Sequence, residues 1–417
     1  MKRIPLPALF AIKLIVLALV WSLGSGHRAD ASAQAEVARL QAHNADDNDL
    51  FGGALALSRD GRVLVVGADL EAGRGEDSDD NSLPGAGAVY VFERDSENHW
   101  VETAYLKAPV PTAGGAFGFA VALAADGQTL AVGAPFEPSD GIGSVHLFHR
   151  IGTQWSHGER LRAPQGAQRF GIGLELSATG SELAVAATGP QRSLQAHVFG
   201  WRAGRWSAQG VLEHPARGDA SASPRLALSG QGRRLALAST GDARVQEFDA
   251  TATGWSAGAV IDRPFAGRDE PAASVQSVLL SNDGRTLAVS GTTGCIGVHV
   301  DEAAQAWRAQ ARLQAAPGGV SLGHGMALSG DGRALVVNAA DNVPHVYRFQ
   351  RHAGAWYPLP GVTEPDGREG LFGSSLALSA DGRWLAVGAR LEAGEARWPW
   401  TRPAGPGAGS VHVYAPG

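Results

Sequence analysis

Five histidines share one repeat position in this chain, in the column Tyr90, His146, His197, Glu247, His299, His345 and His412. Imidazoles in that number suggest a metal centre, because neutral histidine nitrogens bind zinc at about 2.1 Å. The spacing opposes that chemistry. Each histidine belongs to a different repeat of about 50 residues, and packed sheets lie about 10 Å apart. The column therefore reads as flat packing residues with a polar tip, standing where tyrosine would otherwise stand, with a weak pH dependence of stability as its functional counterpart.

A second group sits in the two longest connections, Asp69 to Gly85 and Arg390 to Gly407. The first carries Glu71, Glu76, Asp77, Asp79 and Asp80, and the second carries Arg397, Trp398, Trp400 and Arg402. Tryptophan with arginine on a loop is the composition of an interface hot spot. Trp398, Trp400, Arg397, Asp77, Asp79 and Asp80 are thus the candidate ligand-binding residues. Two chemistries fit them, a carbohydrate-stacking surface and a calcium ion held by Asp77, Asp79 and Asp80. Surface ion pairs, with the tryptophans covering a seam, account for the same residues without a ligand. No Gly-x-Ser-x-Gly elbow, His-Glu-x-x-His, phosphate loop or metal-spaced cysteine pair occurs, so no catalytic residue is assigned.

The elements that position these residues come from a repeated hairpin, best written Leu-Ala-Leu-Ser-x-Asp-Gly-Arg-x-Leu-Ala-Val. Its turn glycines are Gly61, Gly127, Gly180, Gly232, Gly284, Gly332 and Gly382, in steps of 66, 53, 52, 52, 48 and 50 residues. Strand-like alternation at that period predicts an all-β, seven-bladed propeller with four-stranded blades. The hairpin supplies the first two strands, and Asp-Gly provides the positive φ of a tight turn. Gly-Ser-Val-His-Val-Tyr at 409–414, with its counterparts at 87–92 and 143–148, supplies a third strand. A fourth follows Trp100, Trp155, Trp206, Trp255, Trp307 and Trp356, which read as packing residues, while Trp201 and Trp384 lie off that column. The seventh repeat lacks a fourth strand, and Ala38-Arg39-Leu40-Gln41-Ala42 repeats 311–315 letter for letter. An N-terminal strand therefore completes the last blade and closes the ring, removing free sheet edges. The blades fall at about 51–110, 117–165, 170–215, 223–264, 274–317, 322–361 and 371–417 with 36–42.

Residues 1–33 read as a signal peptide: Lys2 and Arg3, an apolar stretch over Leu14 to Leu23, then small residues up to Ala33. Removing them leaves 34–417 as a single propeller, no membrane span, and a formal charge of −9 instead of −6. A mildly acidic chain lacks the basic face that nucleic acid requires. Cys295 is the only cysteine, which excludes an intramolecular disulfide and leaves stability to blade packing.

Phe51-Gly52, Phe117-Gly118, Phe170-Gly171 and Phe372-Gly373 are followed by Val66-Gly67-Ala68, Val132-Gly133-Ala134-Pro135 and Val387-Gly388-Ala389. This pattern resembles the FG-GAP repeat of the integrin α-subunit propeller and of many bacterial secreted or envelope proteins. The resemblance is closest in the first blade and decays in the middle blades, where Ser223-Pro224 and Leu322-Gly323 replace Phe-Gly. Integrin-type repeats often carry a calcium loop between the first two strands. Here that segment is a tight turn with at most one aspartate, so no cofactor is expected there, and the first-blade loop is the one place left for calcium. The resemblance implies an exported, non-enzymatic binding or adhesion-type protein, extracellular or in the cell envelope or periplasm, recognising an extracellular protein or glycan through rim loops. A metal-dependent hydrolase or lactonase-like propeller, and a structural subunit of an envelope assembly, are the alternatives.

Overall fold

The computed structural model describes residues 34–75, 80–137, 142–164, 166–215, 222–265, 273–292, 294–301, 306–314, 321–340, 345–364, 370–393 and 407–415, with the backbone alone at 321–324 and 340. They form seven antiparallel four-stranded sheets, the blades of a seven-bladed β-propeller. In blade 1 the strands run from the inside outward as Ala54–Leu57, Val63–Ala68, Ala88–Arg94 and Trp100–Leu106. The second strands are apolar on both faces because each is sandwiched between neighbouring blades, and Val63–Ala68 is buried throughout.

Ring closure follows the expected route. The N-terminal strand Ala35–Leu40 pairs antiparallel with Ser410–Ala415, placing Arg39 opposite His412 and Leu40 opposite Val411. Leu40, Phe51, Tyr90, Val411 and Val413 then share one apolar cluster across the seam of blades 7 and 1.

The hairpin phrase has a structural reason for each residue. Ser58 Oγ accepts the amides of Arg62 (3.1 Å) and Val63 (2.9 Å) and donates to Asp60 Oδ1 (2.7 Å), which also accepts the Arg62 amide at 3.0 Å. Ser329 with Asp331 repeats the arrangement. The residue between serine and aspartate joins neighbouring blades. Arg59 N donates to Ala125 O (2.9 Å), Ala125 N to Ala178 O (3.0 Å), Ala178 N to Gly230 O (2.8 Å), and Ala380 N returns to Arg59 O (3.0 Å). A belt of turns thus ties the blades together around one mouth of the central channel.

The two tryptophans that stood off the column also lie between blades. Trp384 packs edge-on against Trp100 at 6.4 Å, with the Arg94 guanidinium 3.8 Å above it. Trp201 meets Trp206 of its own blade and His149 of blade 2.

Candidate functional site

The seam of blades 7 and 1 is built from the ends of the two long connections. Gly407 O accepts the Leu50 amide at 2.8 Å, and Ala408 O accepts the Phe51 amide at 3.1 Å, so the second connection returns directly onto the entry to blade 1. Asp69, at the start of the first connection, feels the charge of Arg390 at the start of the second, although burial dominates and pushes its carboxyl up. Of the candidate residues, Asp80 is described. Hydrogen bonds from Ser82 hold its carboxyl below the usual range, and it also accepts the Arg74 amide at 3.0 Å. Asp77, Asp79, Arg397, Trp398 and Trp400 lie outside the described residues.

Beside Asp80 opens a concavity of about 840 Å³ that the sequence reading missed. Its wall is the segment Asp46, Asp47, Asn48 and Asp49, facing Leu70 and Asn81. Asn81 Nδ2 donates to Asp46 Oδ2 at 2.6 Å, and the Asp46 amide donates to Asp49 Oδ2 at 2.7 Å. Leu50, a bulky residue in the left-handed region at φ 59°, ends the segment. The signal was present as the acid-dense run Asn44 to Asp49, directly before Leu50-Phe51.

Under this wall lies a buried polar layer. Asn44 Nδ2 (3.0 Å) and the Tyr105 hydroxyl (2.9 Å) donate to Glu71 Oε1, and the Tyr90 hydroxyl donates to Asn44 Oδ1 at 2.7 Å. Burial, reinforced by the neighbouring Glu71 carboxylate, pushes Asp49 up to about 8. Burial also raises Glu71, against the opposing pull of Lys107. A carboxyl pair that is costly to ionise twice holds a proton at neutral pH.

Glu71 is one of three equivalent residues. Glu71, Glu137 and Glu392 each follow the Gly-Ala of the second strand by three positions and are 1%, 4% and 2% exposed. In blade 7, Glu392 accepts from Ser410 Oγ, meets His412 Nε2 at 2.9 Å and pairs with Arg39 at 2.7 Å, while His412 Nδ1 lies 2.9 Å from Glu36. Blade 2 repeats the set with Ser144, His146 Nε2 at 3.1 Å and Arg160 at 3.2 Å from Glu137. Serine, histidine and glutamate together have the composition of a hydrolytic triad, but not its geometry. Serine gives its proton to the carboxylate, and both converge on the same imidazole nitrogen, so none activates a nucleophile. Burial opposes the charge on His412, but hydrogen bonds to Glu36 and Glu392 lift it to about 9. Glu392 is held low by His412, Ser410 and Arg39, against its burial.

Three of the five column histidines pack as expected. His146, His197 and His412 lie edge-on to Phe117, Phe170 and Phe372 with centroids 5.4–5.5 Å apart, as Tyr90 does to Phe51 at 5.3 Å. Among the described residues, no group of three or more His, Cys, Asp or Glu is arranged to hold a metal ion. The turn aspartates spend their oxygens on their own turns, and one carboxylate falls well short of the six to eight oxygens calcium takes.

The same phenylalanines lead into the glycines that let blades approach. Gly118 sits at φ +93°, where a Cβ would fall 2.4 Å from Ala88 O of blade 1. A Cβ on Gly67, in the Val-Gly-Ala of blade 1, would lie 2.1 Å from Gly118 O. Phe-Gly of one blade is thus pressed against Gly-Ala of the previous one, and only glycine fits at either point. The FG-GAP repeat family model matches residues 35–92 and 100–148, which span the closing strand and most of blades 1 and 2. The chain is a seven-bladed β-propeller that carries FG-GAP repeats in its first two blades. The β-propeller domain of Cps50 (Swd1) from Myceliophteria thermophila is similar in structure. It is 13% identical, with a TM-score of 0.58 over 92% of this chain and 99% of that one, a likeness of fold alone. No curated protein matches the chain. In this FG-GAP propeller the central channel, about 300 Å³, is lined mainly by aliphatic side chains of the inner strands. Glu175 places a carboxyl there, pushed up to about 8 by burial, where the other blades have Ala56, Ala122, Ala227, Leu279, Ala327 and Ala377.

Proposed function

We propose that this FG-GAP propeller is an exported, non-enzymatic recognition protein that binds an extracellular partner on the rim at the seam of blades 7 and 1. The observation that carries this reading is the concavity whose accessible acids are Asp46 and Asp47. It is set where the two longest connections meet and is large enough to seat a side chain or a sugar. Its charge selects a cation-bearing partner, the basic face of a protein or an amine-bearing glycan. No described helix is long and apolar enough to cross a membrane, and the leader-like 1–33 supports export. The test is binding of the chain lacking 1–33 to immobilised basic and acidic peptides and to amino and neutral sugars, with and without calcium. The reading expects salt-sensitive binding to the cationic probes, weakened about tenfold by the paired change Asp46→Asn with Asp47→Asn. Equal binding to acidic and basic probes would contradict it.

A further inference from the structure

Glu175 is out of place in its own repeat. The last residue but one of each inner strand is alanine in five blades and Leu279 in blade 5, and blade 3 alone puts a carboxyl there. The register is the same in each hairpin: Ala56 stands opposite Val65 of the second strand, and Glu175 opposite Ala184. The Glu175 side chain is ringed by protein, yet it is half-buried rather than sealed, so part of its surface is open to the channel it lines. Among the described residues no donor bonds its carboxyl and no neighbouring charge shifts it; burial alone pushes it up to about 8.

The charged groups on the elements around it are engaged elsewhere. On the inner strand of blade 4, Arg225 Nε donates to Gln276 O of blade 5 at 2.9 Å. On its own inner strand Arg169 donates to Thr188, and on the second strand of blade 3 Glu182 pairs with Arg202. The first two strands of blade 2 carry no charge, and on its third strand His146 meets Glu137, Arg150 pairs with Glu93 and His149 packs on Trp201. Besides Glu175, Arg59 is the one charged residue among the described residues that line the channel. It is exposed and belongs to the belt of turns at the mouth. The same belt position is Ala125, Ala178, Gly230, Gly330 and Ala380 in five other blades, and these small residues leave a way in.

We propose that the central channel, entered through the belt of turns, binds a primary alkylammonium ion, with its charged head on the Glu175 carboxylate and its hydrocarbon tail along the aliphatic walls. A carboxyl enclosed without a partner costs stability that the alanines of the other blades avoid, and a cation is the partner that offsets the cost. The channel volume suits a tail of about four to six carbons. Arg59 at the mouth repels a second cation, so a monoamine is preferred to a diamine. The ammonium keeps its proton, and Glu175 gives its own to solvent as the pair forms, so close to one proton leaves per amine bound below about pH 8. The site is separate from the acidic concavity of blade 1 and does not rest on that reading.

The test is calorimetric titration of the chain lacking 1–33 with n-hexylamine, the diamine cadaverine and n-hexanol, in buffers of different ionisation enthalpy so that proton release is counted. Two variants remove the charge differently: Glu175→Gln keeps the shape, and Glu175→Ala installs the residue that five other blades carry and should melt above wild type. The expected result is hexylamine binding with proton release, about tenfold tighter at about pH 7.5 than at about pH 6.5. It should be weakened at least tenfold in both Glu175 variants, unchanged in the Asp46→Asn, Asp47→Asn chain, weaker for cadaverine and absent for hexanol. Absence of hexylamine binding at millimolar concentration, binding without proton release, or binding that persists in both Glu175 variants overturns the proposal.

Discussion

Blades 7 and 3 place a histidine at the same point of the third strand and surround it in opposite ways. In blade 7, His412 is charged because Glu36 and Glu392 flank both its nitrogens, and the buried glutamate is neutralised from a second side by Arg39. In blade 3, His197 is neutral, hydrogen-bonded to Gln195 alone and bordered by a cavity. Both rings pack on the Phe of Phe-Gly at 5.4 Å. The apolar frame of the repeat is therefore independent of the polar layer it carries, and a blade can exchange a structural ion network for a cavity without disturbing its packing.

The largest test of that contrast is at the closing strand, which supplies both Glu36 and Arg39 to blade 7. Deleting 34–40 removes the outer strand and leaves Glu392 and His412 half-partnered. Melting should fall by more than about 10 °C, and an unchanged melting temperature would refute closure. Next, Glu392→Ala takes the buried carboxylate away from Arg39 and His412, and Glu137→Ala takes it away from His146 and Arg160. Each should cost about 3 kcal/mol by denaturant unfolding. The blade 3 counterpart, Gln195→Ala, removes neutral groups only and should cost about 1 kcal/mol. Equal losses would erase the distinction between the blades.

The pH dependence is smaller and of opposite sign in the two blades. His412 has its folded pKa raised to about 9 from 6.5, so its stabilisation is full below 6.5 and lost as pH rises through 9. His197 has its folded pKa depressed to about 4, so its contribution is present above 6.5 and lost as pH falls toward 4. The stability difference between wild type and His412→Gln should therefore shrink on the alkaline side, and that between wild type and His197→Gln on the acid side.

Much of this frame could be read from the repeats. The hairpin register, the closing strand and the Phe-Gly and Gly-Ala contacts depend on local spacing, which a period of about 50 residues displays directly. Of the buried glutamates, Glu71 reads in the sequence as a loop acid and Glu137 and Glu392 draw no notice there, although all three follow Gly-Ala by three residues, because their partners sit on other strands. Trp384 and Trp201 could not be placed because their contacts come from adjacent blades. The acidic wall Asp46 to Asp49 was overlooked because it belongs to the link between the closing strand and blade 1, outside every repeat.

The central claim is that one repeat position serves two opposite electrostatic roles, and nitrogen NMR titration of His412 and His197 in a single sample addresses it most directly. The account predicts midpoints near 9 for His412 and near 4 for His197. If both titrate together near the ordinary 6.5, the polar layers of blades 7 and 3 do not differ and the account is wrong.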